Sequence, residues 1–416
     1  MAPHDASCRR RDSCRLCGSS DLAKVLALTP TPPANAFVTA DKAHEPQATY
    51  PLDVWFCRAC GHVQLLDIVD PGELFSNYVY VSGTSPVFVR HFERYAQSMV
   101  AGIGLRPGDL VVDIGSNDGT LLRFFQGSGM KVLGVDPAKQ IAAQATAAGI
   151  PTWPTFFNAE VSSRIRAEMG AAKCITANNV FAHIDDLAGI VKAVRSLLAS
   201  DGCFVFEVSY LADVVEKTLF DTIYHEHLSY HSVRPLVSFF ARHGMELVGA
   251  ERVDTHGGSL RGIAQIANGP RRFTPVQGLL DQEAQAGLDR EATFVAFGQQ
   301  IEKVRLELRD FLHSLKAQGK RIAGFGAPAK ATTLMFHFGL GSDLIEFIVD
   351  DSPLKQGLFS PGLHIPVVGR QSIQERRPDL LLILAWNFAE SIMRNHAEFR
   401  RQGGRFIVPL PGVTVH

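Results

Sequence analysis

The sequence predicts an α/β protein in which a small metal-binding module precedes two parallel-sheet domains. Three observations predict it. Two Cys-x-x-Cys-Gly knuckles stand at Cys14–Gly18 and Cys57–Gly61. Strand-like and helix-like runs then alternate from about residue 86 to 267, and the alternation restarts at Arg321 after a long charged helix. At about 150 residues per domain, 416 residues suffice for two or three such units. The expected boundaries are 1–75, 76–270 and 271–416.

The knuckles come first. A tetrahedral Zn²⁺ takes two thiolates from each tight turn, so Cys14, Cys17, Cys57 and Cys60 form a closed, structural four-cysteine set. The glycine after each second cysteine lets the backbone fold under the sulfur and donate N–H bonds to it. A redox pair is the competing reading, but it would use one such motif at a helix start rather than two matched ones. Cys8 reads as a bystander, and Cys174 and Cys203, in apolar runs, as small core residues.

Composition narrows the function. The chain has 41 Lys and Arg against 42 Asp and Glu, a formal charge of −1. A phosphate-backbone binder is normally basic, so nucleic acid is not an expected partner. No apolar run approaches a membrane span. The start, MAPHDASCRRRDSCRLCG, carries arginines but no apolar stretch, so it does not read as a secretory signal. A cytoplasmic enzyme, acting as a monomer, is the expectation.

In the middle region a helix is expected over 86–102. Strands are expected at Leu110–Ile114, Lys131–Val135, Lys173–Ala177 and Cys203–Val208, followed by a long helical stretch. Met245–Val253 and Leu260–Ala267 read as a late hairpin. A parallel sheet closed by an antiparallel hairpin is the pattern of a class I, Rossmann-like methyltransferase domain. Residues 271–318 read as mainly helical, with Gln299–Lys316 a connecting helix. The last part reads as strand (Arg321–Phe325), helix (Ala329–Phe338), strand (Leu344–Asp350), strand (Leu380–Ala385), helix (Phe388–Gln402) and strand (Arg405–Pro409), a second Rossmann-like α/β domain.

Val111-Val-Asp113-Ile-Gly115-Ser-Asn117-Asp-Gly119 ends a strand and opens a helix. It resembles the first motif of S-adenosylmethionine methyltransferases, with Gly115 and Gly119 admitting close backbone approach to a ligand. Asp136 ends the next strand, where an acid can accept both ribose hydroxyls. Asn178 and Asn179 end the strand after that, at the carboxyl edge where such sheets bind ligands. Asp113, Gly115, Asn117, Gly119, Asp136, Asn178 and Asn179 are therefore the expected cofactor contacts. A glycine turn that only packs a helix on a strand is the alternative. Phe156 and Phe157 read as core, with adenine stacking as the alternative.

Asp221-Thr-Ile-Tyr224-His225-Glu226-His227-Leu-Ser-Tyr230-His231 concentrates titratable groups in eleven residues. His-Glu-His lacks the spacing that puts two imidazoles on one helical face, which disfavours metal binding. A purely structural cluster is a second reading. General acid–base chemistry is preferred, because imidazole titrates near neutrality and a neighbouring glutamate can orient it.

In the last domain Gly324-Phe-Gly326-Ala327-Pro-Ala-Lys330 follows a strand and opens a helix, with Asp350 ending the next strand. Taken alone this matches a dinucleotide fingerprint. A helix N-terminus with Lys330 beside it suits the diphosphate of a nucleotide-linked substrate. Plain packing and NAD binding are the alternatives. His256-Gly-Gly-Ser-Leu-Arg261, in the late hairpin, is a further candidate for lining the cleft between domains.

The order of motifs now assembled also includes Asn77-Tyr78-Val-Tyr-Val-Ser82-Gly-Thr-Ser85 and Ala177-Asn-Asn-Val-Phe-Ala-His183. Over essentially the whole chain it resembles the nucleotide-sugar C-3′-methyltransferases of antibiotic deoxysugar pathways, the tetronitrose-pathway type among them. The resemblance implies a zinc-binding N-terminal module, a middle domain holding S-adenosylmethionine, and a C-terminal domain anchoring a dTDP-4-keto-deoxysugar. It implies active-site roles for Tyr78, His183, Tyr224, Glu226 and His227, with His227 as base. Tyr78, Ser85, Gly326, Ala327 and Lys330 complete the expected substrate contacts. The expected acceptor is C3 of a dTDP-4-keto-6-deoxyhexose, with or without a 3-amino group. A non-catalytic nucleotide-sensing adaptor and an NAD-linked sugar oxidoreductase remain as alternatives.

Overall fold

In the computed structural model, residues 7–75, 83, 86–255, 257–271 and 273–416 are described. The N-terminal part holds β1 (Cys8–Arg10), β2 (Leu22–Thr31), β3 (Tyr50–Cys57), β4 (Val63–Leu65), β5 (Asp67–Val69) and the short α1 (Pro71–Phe75). β2 and β3 alternate buried and more exposed positions, as strands with one covered face do.

The middle part runs α2 (Pro86–Ile103), β6 (Leu110–Ile114), α3 (Thr120–Gly127), β7 (Lys131–Val135), α4 (Lys139–Ala147), β8 (Thr152–Trp153), α5 (Ala159–Met169), β9 (Ala172–Asn178), α6 (Leu187–Leu197), β10 (Leu198–Ser209), α7 (Leu211–Glu216), β11 (Ser229–Tyr230), α8 (Val233–Arg242), β12 (Met245–Val253) and β13 (Ser259–Ile266). Seven of these strands form one sheet in the order β12-β13-β10-β9-β6-β7-β8. Its parallel strands are closed by antiparallel β13 and β12, as the sequence pattern implies. All five residues of β6 are buried, because helices cover a parallel sheet on both faces. Asn158 and Asp186 cap α5 and α6 by accepting the amides of Val161 and Gly189. Phe157 lies in the core, whereas Phe156 is 46% exposed.

The expected long helix after β10 does not form. The segment breaks into α7, a single 3-10 turn at Phe220–Thr222, an irregular loop carrying the histidines, β11 and then α8. The cause is tertiary. β11 pairs antiparallel with β4, so the middle part donates a strand to the N-terminal sheet, whose order is β11-β4-β3-β2.

The C-terminal part contains α9 (Gln277–Gln285), α10 (Glu291–Ala317), β14 (Ile322–Phe325), α11 (Ala329–Phe338), β15 (Ile348–Val349), β16 (Val367–Val368), α12 (Gln371–Arg376), β17 (Leu380–Ile383), α13 (Ala389–Asn395), α14 (Ala397–Arg401), β18 (Arg405–Val408) and β19 (Thr414–Val415). The sheet order is β16-β15-β14-β17-β18-β19, so the topology reverses between β14 and β17. Two expectations change here. The strand read as Leu344–Asp350 pairs only over Ile348–Val349, because a turn at Gly341 accepts the amides of Leu344 and Ile345. The helix read as one piece over 388–402 is interrupted at His396.

The three parts are not beads on a string. One apolar core joins the inner face of β2–β4 (Val25, Leu52, Phe56), the segment Leu211–Tyr230, the buried face of α10 (Ile301, Val304, Leu308) and β14, β17 and α11. A second joins Cys14, Leu16 and Cys57 to one face of the seven-stranded sheet. The histidine loop therefore sits where all three parts meet.

Candidate active site

The four thiolates converge as the knuckles imply. Their sulfur atoms all lie within 4.8 Å of one another, with Cys14 Sγ 3.7 Å from Cys60 Sγ and Cys17 Sγ 3.5 Å from Cys57 Sγ. Four sulfurs so close, in a chain whose Cys14 and Cys57 are buried, fit a tetrahedral Zn²⁺ with no open position. Gly18 and Gly61 both have positive φ, and each donates its amide to the carbonyl of the first cysteine of its knuckle, at 2.9 and 2.8 Å. The glycines thus close the turn rather than bond the sulfurs.

At the carboxyl edge of the middle sheet the expected cofactor residues come together. Asp136 accepts the amides of Asn117 and Ala138, both at 2.8 Å, which fixes its carboxylate at the tip of β7 and leaves further lone pairs. Burial raises its pKa. Asp113 is fully buried and accepts the Thr176 hydroxyl at 2.6 Å; burial pushes it up to about 7. It ties β6 to β9 behind the edge. Gly115 and Gly119 adopt left-handed backbone, and a Cβ at either would stand 2.3 Å from Val180 or 2.8 Å from Ile150. Their requirement here is backbone sign and packing, in addition to any ligand approach. Asn117 and Asn179 also have positive φ. Asn178 is the telling residue: both amide atoms are buried and lack a hydrogen-bond partner among the described residues. A buried amide left so costs about 1–3 kcal/mol, which a ligand bound at this edge would recover. The residues present therefore fit S-adenosylmethionine.

The histidine loop passes beside that edge. Four rings stack in the order Phe75, His183, His227, Tyr224, with centroid separations of 5.4, 5.1 and 4.1 Å. His183 is carried on the 3-10 turn that follows β9. His227 Nδ1 lies 2.7 Å from the carbonyl of Thr222. A carbonyl only accepts, so Nδ1 carries the proton and Nε2 keeps the lone pair. Burial lowers the His227 pKa to about 4, and burial together with His227 lowers that of His183 well below the ordinary value. Both rings are neutral at pH 7. The expectation that Glu226 orients the base is revised: the Thr222 carbonyl holds Nδ1, while Glu226 accepts the Asn35 side-chain amide at 2.9 Å.

The other histidines have different work. His225 Nε2 donates to the Tyr50 carbonyl at 3.2 Å, pinning the loop to β3. His231 is fully buried between Phe181 and His62. Tyr78 and Ser85, and His256 of the late hairpin, lie outside the described residues. Among the described residues of this stretch, Phe75 stacks on His183 and the Gly83 amide donates to Asp118 in the first glycine motif at 3.1 Å.

In the C-terminal part the glycine loop leaves β14 at the point where strand order reverses, the usual ligand crevice of an open α/β sheet. The Ala327 amide donates to Asp350 Oδ2 at 2.6 Å, and Lys355 Nζ donates to the Ala327 carbonyl at 2.7 Å. Gly326 has positive φ and packs on Ala385. Lys330 Nζ lies 3.6 Å from Asp221 and 4.1 Å from the Trp386 ring centre, and the Trp386 indole donates to the same carboxylate at 2.6 Å. Thr333 Oγ1 donates to the Ile223 carbonyl at 2.7 Å. Sequence reasoning missed Thr222, Asn35 and Trp386, which act through a backbone carbonyl or through partners distant in sequence, and no local motif marks them.

Comparison with known proteins accords with this geometry. Family models match three consecutive stretches: a zinc binding domain over residues 14–75, a methyltransferase domain over 88–250 and a C-methyltransferase C-terminal domain over 254–411. C-methyltransferase NovU of Streptomyces niveus is 38% identical over 401 residues, 96% of each chain. Among solved structures, magnesium protoporphyrin IX methyltransferase from Synechocystis overlaps 42% of this chain and 82% of its own, at 16% identity and a TM-score of 0.33. An S-adenosylmethionine-dependent methyltransferase from Clostridium acetobutylicum overlaps 43% and 92%, at 12% identity and a TM-score of 0.34. The chain belongs to the C-methyltransferase family, with S-adenosylmethionine as its methyl donor and zinc as its structural metal.

Proposed function

We propose that this C-methyltransferase methylates C3 of a dTDP-4-keto-6-deoxy sugar, with His227 as the base. The observation that carries the reading is the Nδ1 bond of His227 to Thr222, which leaves a neutral imidazole with its Nε2 lone pair available. A ring carbon becomes nucleophilic only when a proton beside a carbonyl is removed. His227 Nε2 takes the C3 proton, the C3–H electrons form a C3–C4 double bond, and the carbonyl electrons move onto O4. A positioned base of this kind contributes roughly 10²–10⁴ in rate. Tyr224, packed on the His227 ring, and His183, whose Nε2 has no partner among the described residues, would donate to O4, His183 in a tautomer that carries the proton on Nε2. Bound S-adenosylmethionine supplies an electrophilic methyl on sulfonium, which the carbon takes as the C–S bond breaks onto sulfur. No separate electrophile is needed, and holding the carbon and methyl in near-attack geometry is the chain's main contribution.

The switch point between β14 and β17 supports a nucleotide site there. Burial lowers the pKa of both Lys330 and Lys355, which flank the Gly326–Ala327 turn, and a diphosphate there would favour their charged forms. Asp221, contacted by Lys330 and Trp386, precedes the Thr222 that orients the base, so a sugar held from this crevice extends toward His227.

The test is incubation with methyl-labelled S-adenosylmethionine and a dTDP-4-keto-6-deoxyhexose, with and without a 3-amino group. Label bound to sugar carbon is expected. His227→Asn is expected to lose transfer while binding S-adenosylmethionine as the parent does; wild-type turnover in that variant would sink the assignment.

A further inference from the structure

Arg15 stands between two zinc ligands, yet its contacts lead to the active site. Its side chain is 0% exposed. Nε donates to Asp185 Oδ1 at 3.0 Å, and Asp185 lies two residues after His183. Nη1 reaches the carbonyl of Leu228 at 3.3 Å, and Leu228 follows His227. Nη1 also bonds the Leu65 carbonyl and Gln64 Oε1, and the Arg15 amide donates to that same Gln64 oxygen at 3.1 Å. A single guanidinium therefore bridges the Asp185 carboxylate, two residues after His183, and the backbone carbonyl of Leu228, next to His227. Its planar fork is suited to such a bridge, since it offers five donors in fixed directions.

The net negative four-thiolate centre favours a cation beside Cys14, but it does not account for the reach of that cation to Leu228. Asp185 already has two more accessible partners, Arg9 and Arg11. Burying a third guanidinium costs desolvation that an apolar residue would avoid. We propose that Arg15 is a positioning residue for the His183–His227 pair, so that the metal knuckle sets the geometry of the base as well as the fold of its own module. The proposal rests on the reading of His227 as base. It gives zinc a second consequence, because the ligands Cys14 and Cys17 fix the turn that carries Arg15.

The base step is read directly as deuterium wash-in at C3 of the dTDP-4-keto-6-deoxyhexose in D2O without methyl donor. Rates in the zinc-loaded full chain are normalised to sites that bind S-adenosylmethionine, so an unfolded fraction does not register. Arg15→Ala is expected to slow exchange roughly 10–100-fold, the scale of an ångström-level misplacement. Zinc content per chain and affinity for S-adenosylmethionine are expected to stay at the parent values. Guanidinium ion at about 20 mM should restore part of the exchange rate by refilling the site, whereas a merely destabilised fold would gain nothing from it. Asp185→Ala removes the His183-side contact of Arg15, together with the more exposed Arg9 and Arg11 pairs, and leaves the Arg15 bonds to Leu228, Leu65 and Gln64. It should show a smaller loss, which decides the matter if Arg15→Ala does not fold, with Arg9→Ala and Arg11→Ala at parent rates as its controls. Parent exchange rates in Arg15→Ala, or in Asp185→Ala where that variant must decide, or a loss that follows zinc content, would overturn the proposal. His227→Asn run in parallel separates the two readings: if it exchanges like the parent, the base assignment has failed, whatever Arg15 does.

Discussion

The imidazole of His227 donates from Nδ1 to the carbonyl of Thr222, five residues earlier, at 2.7 Å. This bond closes the histidine loop on itself and selects the tautomer. Because a carbonyl has no proton to give, the ring nitrogen facing away from it is obliged to be the acceptor.

The first prediction is a displaced acid limb. With His227 lowered to about 4 by burial, the neutral base persists well below the ordinary imidazole value of 6.5. The profile of kcat/KM should hold from neutrality to about pH 5 and fall through about pH 4. A half-loss near 6.5 would show that the base is another group, or that His227 is solvated in the working enzyme.

Asn178 offers a test in which stability and binding move in opposite directions. Its amide is buried without a partner among the described residues. Asn178→Ala should leave the ligand-free chain as stable or slightly more so, since no protein hydrogen bond is lost. Affinity for S-adenosylmethionine should fall by about 1–3 kcal/mol, or roughly 5–150-fold, on titration calorimetry. Unchanged affinity would remove Asn178 from the cofactor site.

The Asp221–Lys330 contact joins the histidine loop to the C-terminal part. Lys330→Met strands a carboxylate that is 0% exposed and should cost about 3–5 kcal/mol in denaturant unfolding. Asp221→Asn with Lys330→Met should cost less than Lys330→Met alone. Burial raises the pKa of Asp221, and a raised carboxyl pKa means stability lost as pH increases. The Lys330→Met deficit should therefore be larger at neutral than at acid pH. Equal deficits for single and double variants would show that the pair is not coupled.

Acid should weaken the junction through His225 and His231. Burial lowers them to about 4 and about 3, against 6.5 in the unfolded chain. Between these values the unfolded state binds more protons, so stability falls as pH drops below 6.5 and continues to fall to about pH 4. At pH 5 each contributes a loss of about 2 kcal/mol. Thermal melts of His231→Gln, compared with the parent at pH 7 and pH 5, should show a shallower pH dependence in the variant.

Much of the fold is legible in the sequence because its signals are short-ranged. The run Val111–Gly119 announces a strand, a left-handed turn and a helix within nine residues, and the structure places β6 and α3 there. The glycine loop at 324–330 does the same for β14 and α11. The segment after β10 escapes such reading because Ser229 and Tyr230 take their conformation from pairing with Gln64 and Val63, and no local periodicity encodes a partner so distant. Adjacency alone gives Glu226 the orienting role, and adjacency says nothing about where a side chain points once the loop is folded.

The sequence by itself determined the zinc ligands, the order of strands and helices in both sheets' cores, and the concentration of histidines at one place in the chain. Spacing and apolar periodicity act within a turn or two, and they suffice for those. Only the tertiary structure decided which nitrogen of His227 keeps its lone pair, what holds the ring there, and which groups the Arg15 side chain reaches. Those depend on contacts such as Arg15 to Leu228, 213 residues apart, made between polar groups that become neighbours only when a shared apolar core brings the three parts together.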